Sequence, residues 1–148
     1  MFIQHLIQLH SMHEIVKKYH FHSAHRNLGL GKESKCSNIH GHTYRIEVCF
    51  DANYSEDDRV RKGLNFSFEQ LDQSVDPIIK DLDHCFILQD TDPLVPILKG
   101  HSRLYLLDFP SSAENLASHI LNRIKEVSKV PVLWLTLAET TSSVVKVQ

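Results

Sequence analysis

The sequence has little glycine, proline, cysteine or tryptophan, and its charges of the two signs nearly balance. Five glycines and five prolines among 148 residues exclude a collagen-like repeat and a low-complexity chain. Sixteen Lys and Arg residues against 18 Asp and Glu residues give a formal net charge of -2, which argues against general binding of nucleic acid or of an anionic membrane. The remaining composition, 42% hydrophobic and 23% charged, is typical of one globular domain.

Only three cysteines are present, Cys36, Cys49 and Cys85, and no secretory signal accompanies them, so we expect reduced thiols and a cytoplasmic protein. Residues 1–11 are apolar but too short to span a bilayer, and they lack the basic start and the cleavage site of a signal peptide. We therefore expect residues 1–11 to be an N-terminal extension of uncertain order, and residues 12–148 to form a single domain without a membrane partner.

Alternating apolar and polar side chains identify the clearest strand, at residues 43–50. An earlier strand is expected to start near Met12 and to pass through Phe21, and the polar residues 51–63 suit the return of a hairpin. Further strands are predicted at residues 103–109, 130–138 and 143–147.

Two helices are predicted from apolar residues at helical spacing. The first covers residues 68–82 with Ser67 as its N-cap, and Pro77 inside the pattern is expected to kink or weaken it. The second begins with a capping box formed by Ser111 and Glu114. The order strand, strand, helix, strand, helix, strand, strand predicts an α+β domain with its helices on one face of an antiparallel sheet.

Histidine is the residue type in excess, with 11 in the chain. His40 and His42 straddle one glycine at the start of the clearest strand, so their side chains share a face with Cα atoms roughly 6.5 to 7 Å apart. A hairpin would bring His25 alongside them, and three neutral imidazoles with an open fourth position are the pattern of a catalytic zinc site. His20 and His22 compete with His25 as the third ligand, and exposed polar residues at a strand start are the alternative to a metal site.

Four further residues, at three places in the sequence, offer acid, base or acceptor chemistry. Cys36 lies in a loop flanked by lysines, where it could be a thiolate base, a fourth zinc ligand or an inert loop residue. Asp83 precedes His84 at the end of the first helix pattern, where a carboxylate could tune an imidazole for proton transfer or the pair could only satisfy the helix dipole. Glu139 closes an apolar strand, where it either accepts adjacent N–H donors of an amino-heterocycle or reaches water.

Five pieces of sequence, in order, resemble the 6-pyruvoyltetrahydropterin synthase superfamily from about Glu14 to Val147. They are FHSAH at 21–25, CSNIHGH at 36–42, LDH at 82–84, SAENLA at 112–117 and AET at 138–140. The gap between Cys36 and His40 is similar to that of the bacterial 6-carboxytetrahydropterin synthase branch. The resemblance implies the tunnelling fold, in which a four-stranded antiparallel sheet with two helices on one face assembles into an oligomeric barrel. A hexamer or tetramer with sites at the subunit interfaces is implied.

The resemblance also implies roles for eight residues: zinc binding for His25, His40 and His42, catalytic base for Cys36, proton relay for Asp83 and His84, and pterin binding for Glu139 and Glu114. The implied substrate is 7,8-dihydroneopterin triphosphate. The carboxy branch converts it to 6-carboxy-5,6,7,8-tetrahydropterin, acetaldehyde and triphosphate on the route to queuosine. A pyruvoyl-type activity on the same substrate and a non-catalytic zinc-binding homologue are the alternatives.

The chain departs from the family pattern at two places. Ser67 stands where an Asp is usual, and because Ser caps a helix as well as Asp does, we expect a mild structural effect. After His84, Ile87 and Leu88 replace the usual Leu-Asn, and residues 89–102 form a longer connection.

Overall fold

Two long strands form the centre of the sheet in the computed structural model, which describes residues 13–54 and 66–148. Strand β1 (Glu14–His25) and strand β2 (His40–Asp51) have 12 residues each and pair antiparallel along their whole length. The register runs from Glu14 opposite Asp51 to His25 opposite His40, so the two strand ends that carry histidine meet directly. This confirms the predicted strand at residues 43–50 and the hairpin that joins it to the preceding strand.

Four shorter strands complete a six-stranded sheet in the order β4-β3-β1-β2-β5-β6. They are β3 (Cys85–Gln89), β4 (Leu104–Leu107), β5 (Val132–Ala138) and β6 (Val144–Val147). Strands β1, β2, β5 and β6 pair antiparallel and form the four-stranded unit that was expected, whereas β3 and β4 add two parallel pairings beside β1. The α+β fold is therefore confirmed, with a sheet that is wider than the sequence predicted.

In the part of the chain that the structure describes, three helices accompany the sheet: α1 (Phe68–Leu82), α2 (Val95–Leu98) and α3 (Ala113–Val127). Helices α1 and α3 pack on one face of the sheet, and their apolar stripes meet the inward side chains of β1, β2 and β5 in one core. Fully buried members include Phe21, Ile46, Leu71, Ile120 and Leu135. Since each such side chain contributes about 1.5–3 kcal/mol on burial, this layer holds the ends of β1 and β2 in place.

The first helix begins where the sequence predicted. Ser67 Oγ accepts from the backbone N–H of Gln70 at 3.3 Å, and Gln70 Oε1 accepts from the N–H of Ser67 at 2.8 Å. The two residues form a complete capping box, so Ser67 caps the helix in place of the usual Asp. The helix continues through Pro77 to Leu82 as one element.

The start of the second long helix differs from the prediction by one residue. Ser112 is the N-cap of α3, and its Oγ accepts from the N–H of Asn115 at 3.3 Å. Ser111, predicted to form the cap, is buried instead and faces the end of β1. The predicted capping box of Ser111 with Glu114 is therefore wrong. Two consecutive serines offer the same side-chain acceptor, and the second of them is the N-cap.

The long connection at residues 89–102 contains α2, and an ion pair joins it to the residue directly after β1. Arg26 Nε donates to Asp92 Oδ2 at 2.8 Å, its NH2 group donates to Oδ1, and Asp92 is buried.

The predicted extension at 1–11 lies outside the described residues, as does most of the polar segment at 51–63. Within the described ranges, no helix has both the length and the apolar character that a bilayer crossing needs.

Candidate metal centre and active site

Three histidines converge where the paired ends of β1 and β2 meet. One ligand nitrogen from each of His25, His40 and His42 lies within 4.8 Å of the others, and the Nε2 atoms of His25 and His40 are 3.1 Å apart. The register places His25 opposite His40 and Ser23 opposite His42, which puts all three imidazoles on the face of the sheet that carries the core. His22, by contrast, is exposed on the other face, where its Nδ1 lies 3.1 Å from Thr43 Oγ1.

A backbone carbonyl orients each of the three rings. The carbonyl of Ser111 accepts from His25 Nδ1 at 2.8 Å, that of Asn38 accepts from His40 Nδ1 at 2.8 Å, and that of Glu139 accepts from the His42 ring. Since a carbonyl can only accept, the facing ring nitrogen must carry the hydrogen, and the other ring nitrogen keeps its lone pair. This is the outer-shell arrangement that holds metal-binding imidazoles in one tautomer.

Burial favours the neutral form of two of these imidazoles, those of His25 and His42. Removal from water lowers the pKa of His25 from 6.5 to about 4, with the hydrogen bond to Ser111 opposing the shift and the two neighbouring histidines adding to it. Burial and the proximity of His40 also lower the pKa of His42. Neutral imidazoles with converging lone pairs are the form that binds zinc, so the donor set fits a three-histidine zinc site.

Two buried polar atoms next to this cluster have no hydrogen-bond partner among the described residues: the hydroxyl of Tyr44 and Oε1 of Glu139. Glu139 Oε1 lies 3.6 Å from His25 Nε2, and the Tyr44 ring lies edge-on to His42 with centroids 5.4 Å apart. Burial raises the pKa of Glu139, with His40 opposing the shift and Glu114 adding to it. Unpaired buried polar groups are costly, so a donor and an acceptor left open here suit a polar ligand.

Glu114 lies in the first turn of α3 and is exposed. Its negative charge adds to the upward shift in the pKa of Glu139. Sequence reasoning did not select Tyr44, because its place in the alternating strand is that of an ordinary core residue. Its position two residues after His42, on the same face of β2, was the available signal.

Cys36 lies in a short 3-10 turn, Lys35–Ser37, and is exposed. Its carbonyl accepts from the N–H of Asn27 at 2.7 Å, which ties this turn to the chain two residues beyond His25. Among the described residues the cluster of mutually close ligand atoms comprises the three imidazoles without the Cys36 thiol. The cluster therefore gives no support to Cys36 as a fourth zinc ligand, and its role as a base stays a prediction beside that of an inert loop residue.

Asp83 and His84 form a hydrogen-bonded pair at the C-terminal end of α1. Asp83 Oδ1 accepts from the N–H of His22 at 2.8 Å, and Oδ2 accepts from His84 Nδ1 at 2.7 Å. The hydrogen bond from His22 and the contacts with His84 lower the pKa of Asp83, with burial opposing the shift. His84 has a positive φ of 54°, a left-handed conformation that is uncommon outside glycine and is associated with functional sites.

A cavity of about 590 Å³ lies beside this pair. His42 and His84 both line it, together with His22 and Arg103. Cys36, Glu114 and Glu139 are not among its lining residues. Of the three clustered histidines, His42 lines this cavity and His25 and His40 do not, and Glu139 lies beside His25 instead.

Comparison with known proteins gives one consistent result. The family model described as 6-pyruvoyl tetrahydropterin synthase matches residues 14–148. The 6-carboxy-5,6,7,8-tetrahydropterin synthase of Haemophilus influenzae is 31% identical over 138 residues, which cover 89% of this chain and 96% of that protein. The protein of the same description from Aquifex aeolicus is 29% identical over 157 aligned positions, covering 88% of this chain and 94% of the relative.

The fold also matches a solved structure. The 6-pyruvoyl tetrahydropterin synthase of Caenorhabditis elegans superposes with a TM-score of 0.67 at 20% identity, covering 93% of this chain and 95% of that one. At this level of identity the similarity concerns the fold alone, and it agrees with the tunnelling fold implied by the sequence.

Proposed function

Because this chain belongs to the 6-pyruvoyl tetrahydropterin synthase family, we propose that it is a zinc-dependent 6-carboxy-5,6,7,8-tetrahydropterin synthase. The observation that carries the proposal is the set of three converging imidazoles at the paired ends of β1 and β2, one of which, His42, lines a cavity together with His84 of a hydrogen-bonded Asp–His pair. The names of the relatives support the carboxy branch of the family.

The proposed reaction converts 7,8-dihydroneopterin triphosphate and one water molecule to 6-carboxy-5,6,7,8-tetrahydropterin, acetaldehyde and triphosphate in the cytoplasmic synthesis of queuosine. His25, His40 and His42 would hold zinc, since their ligand atoms converge and their tautomers are fixed. A zinc ion held by these residues would supply Lewis acidity that stabilises the negative charge developing on the substrate when a carbon-bound proton leaves.

Glu139 is the proposed anchor of the pterin ring. A pterin presents an exocyclic amino group beside a ring N–H, and a carboxylate can accept from both with charge assistance. The unpaired Oε1 atom of Glu139 is the acceptor that this contact would use. Burial raises the pKa of this carboxyl and so disfavours its ionised form. Hydrogen bonds from the two pterin donors would oppose that effect and favour the carboxylate.

Proton transfer is assigned to Cys36 and His84. Asp83 holds the Nδ1–H of His84, so the Nε2 atom of the exposed imidazole is left to take or give a proton at the cavity. Asp83 itself stays ionised because hydrogen bonds lower its pKa. Cys36, beside the end of β1, is the proposed base at the other face of the substrate side chain.

We also propose a homo-oligomer in which a neighbouring subunit closes the site. The sheet is open, with β4 and β6 at its edges, and Val144 on β6 is 61% exposed. The cavity that reaches His42 and His84 does not enclose Glu139 in the single chain, so a pterin bound by all of these residues would need walls from a second copy.

The deciding experiment incubates the purified protein with 7,8-dihydroneopterin triphosphate and measures zinc content on the same sample. Acetaldehyde and triphosphate in equal amounts, with the carboxylated pterin as the third product, are expected. Triphosphate release without acetaldehyde would instead assign the pyruvoyl-type activity. Full zinc occupancy without turnover would assign a non-catalytic zinc-binding homologue.

A further inference from the structure

Arg103 is bound to the end of α1 by three hydrogen bonds. Its NH2 group donates to the carbonyls of Lys80 at 2.9 Å and Asp81 at 3.1 Å, and its NH1 group donates to the carbonyl of Asp83 at 3.2 Å. The last carbonyls of a helix lack partners within the helix, and a cation at this end also interacts favourably with the helix dipole. Arg103 therefore closes the C-terminal end of α1 from the start of β4.

The same contact fixes the peptide that carries the proton relay. The carbonyl of Asp83 accepts from Arg103, and the N–H of the following residue, His84, donates to the carbonyl of His22 at 2.7 Å. Both polar groups of the peptide between Asp83 and His84 are thus held from opposite sides. This matters because His84 has a φ of 54°, and such a conformation persists only when its surroundings impose it.

We propose that Arg103 is a positioning residue that holds Asp83 and His84 in the geometry needed for proton transfer. The inference rests on the proposed function, in which His84 moves a proton at the cavity. Arg103 also lines that cavity, so direct contact with the triphosphate of the substrate is the competing role. The carbonyls already take three of the five N–H donors of its guanidinium, including both of those on NH2, which favours positioning over direct binding.

The fork geometry of arginine makes the proposal specific. A guanidinium can bridge several carbonyls in one plane, whereas a lysine ammonium places the same charge at a single point. Arg103→Lys should therefore behave like Arg103→Gln, even though only the second variant removes the charge. A role in general electrostatic attraction of the substrate would predict rescue by Lys.

Arg123 provides a matched control at the same helix end. Its NH2 group donates to the side chain of Asp81 at 2.9 Å, and its NH1 group donates to the hydroxyl of Tyr105 at 3.0 Å. It thus supports the end of α1 through side chains and does not contact the peptide of Asp83 and His84. Arg123→Gln should leave both turnover and the surroundings of His84 unchanged.

The test compares the wild-type protein with these three variants in kcat, KM, zinc content and the imidazole resonances of His84 in ¹H–¹⁵N spectra. In both Arg103 variants we expect kcat to fall about 10²-fold, as for a misplaced catalytic group, while KM and zinc content stay near wild type and the His84 resonances shift. Arg103→Lys carries the test if Arg103→Gln does not fold.

Three results would overturn the proposal: a raised KM with unchanged kcat, unshifted His84 resonances, or an equal loss of kcat in Arg123→Gln. A wild-type protein without pterin turnover would refute the proposed function instead. In that case the shift of the His84 resonances still decides whether Arg103 positions the pair.

Discussion

At the scale of single residues, the histidine cluster makes the clearest prediction. His40→Ala removes one of three converging ligand nitrogens, so zinc and activity should be lost together. His20→Ala is the matched control, because His20 is exposed on β1 away from the cluster and should keep both. Metal analysis and turnover on the same samples test this, and full zinc occupancy in His40→Ala would contradict the ligand assignment.

Cys36 should be needed for turnover but not for zinc binding. Since its thiol lies outside the three-imidazole cluster, Cys36→Ala should retain zinc and lose turnover by roughly 10²-fold or more, the usual contribution of a positioned base. Cys49→Ala, which changes a buried thiol of β2, should keep most of the activity. Near-normal turnover in Cys36→Ala would assign the base to another group.

Glu139→Gln tests the pterin anchor. The change replaces one acceptor oxygen with an N–H donor, which would face the donors of the pterin at a cost of roughly 1 to 3 kcal/mol. We expect weaker substrate binding with unchanged zinc content, measured as the dissociation constant of a non-reacting pterin. Glu126→Gln, an exposed residue at the far end of α3, should leave that constant unchanged.

At the scale of secondary-structure elements, a hydrogen-bonded group joins β4 to α3. The Tyr105 hydroxyl lies 2.7 Å from His119 Nε2 and accepts from Arg123 NH1, so the hydroxyl donates to a neutral imidazole. Burial and Arg123 lower the pKa of His119 in the folded protein, with Asp108 and Glu126 opposing the shift. The unfolded chain therefore binds this proton first as the pH falls.

This contribution to stability is fully present above the ordinary pKa of 6.5 and is lost as the pH falls below it. Urea unfolding at pH 7.5 and at pH 5.5 should show a smaller decrease in the free energy of unfolding for His119→Gln than for wild type. An equal decrease in both proteins would contradict the assignment to His119.

The elements also show how far the sequence could predict the fold. Strands β1 and β2 follow from clear alternation, and the ends of α1 follow from Ser67 and the apolar spacing. Strand β3 was not predicted, because Cys85–Gln89 is a short run directly after a helix, with Ile87 and Leu88 both fully buried. Such a run has no alternation that separates a strand from a buried helix end.

The candidate site was predictable where ligand spacing is local and not where it depends on packing. His40 and His42 were identified from one strand, and His25 required only the neighbouring hairpin. The carbonyl of Ser111 that orients His25 lies 86 positions along the chain from that histidine. The carbonyl of Asp83 that Arg103 binds lies 20 positions before the arginine. Contacts of that kind come from the tertiary fold and leave no pattern in the local sequence.

At the scale of the whole molecule, the proposed oligomer predicts that complete sites contain residues from more than one copy. Light scattering should show a tetramer or hexamer, and dilution to monomers should remove turnover. His84→Ala and Glu139→Ala should each be inactive, and mixing them under conditions that exchange subunits should restore part of the activity. A fully active monomer, or no recovery on mixing despite exchange, would contradict shared sites.

The backbone acceptors of the histidine rings have a consequence for how this protein tolerates mutation. The carbonyls of Asn38, Ser111 and Glu139 belong to the main chain, so any side chain at these positions that preserves the backbone path leaves the rings oriented. An insertion or deletion that shifts any of these three segments would misdirect an imidazole without changing a ligand. We therefore expect the orientation of the three histidines to tolerate amino-acid replacement at these positions and to be sensitive to changes of loop length in these segments.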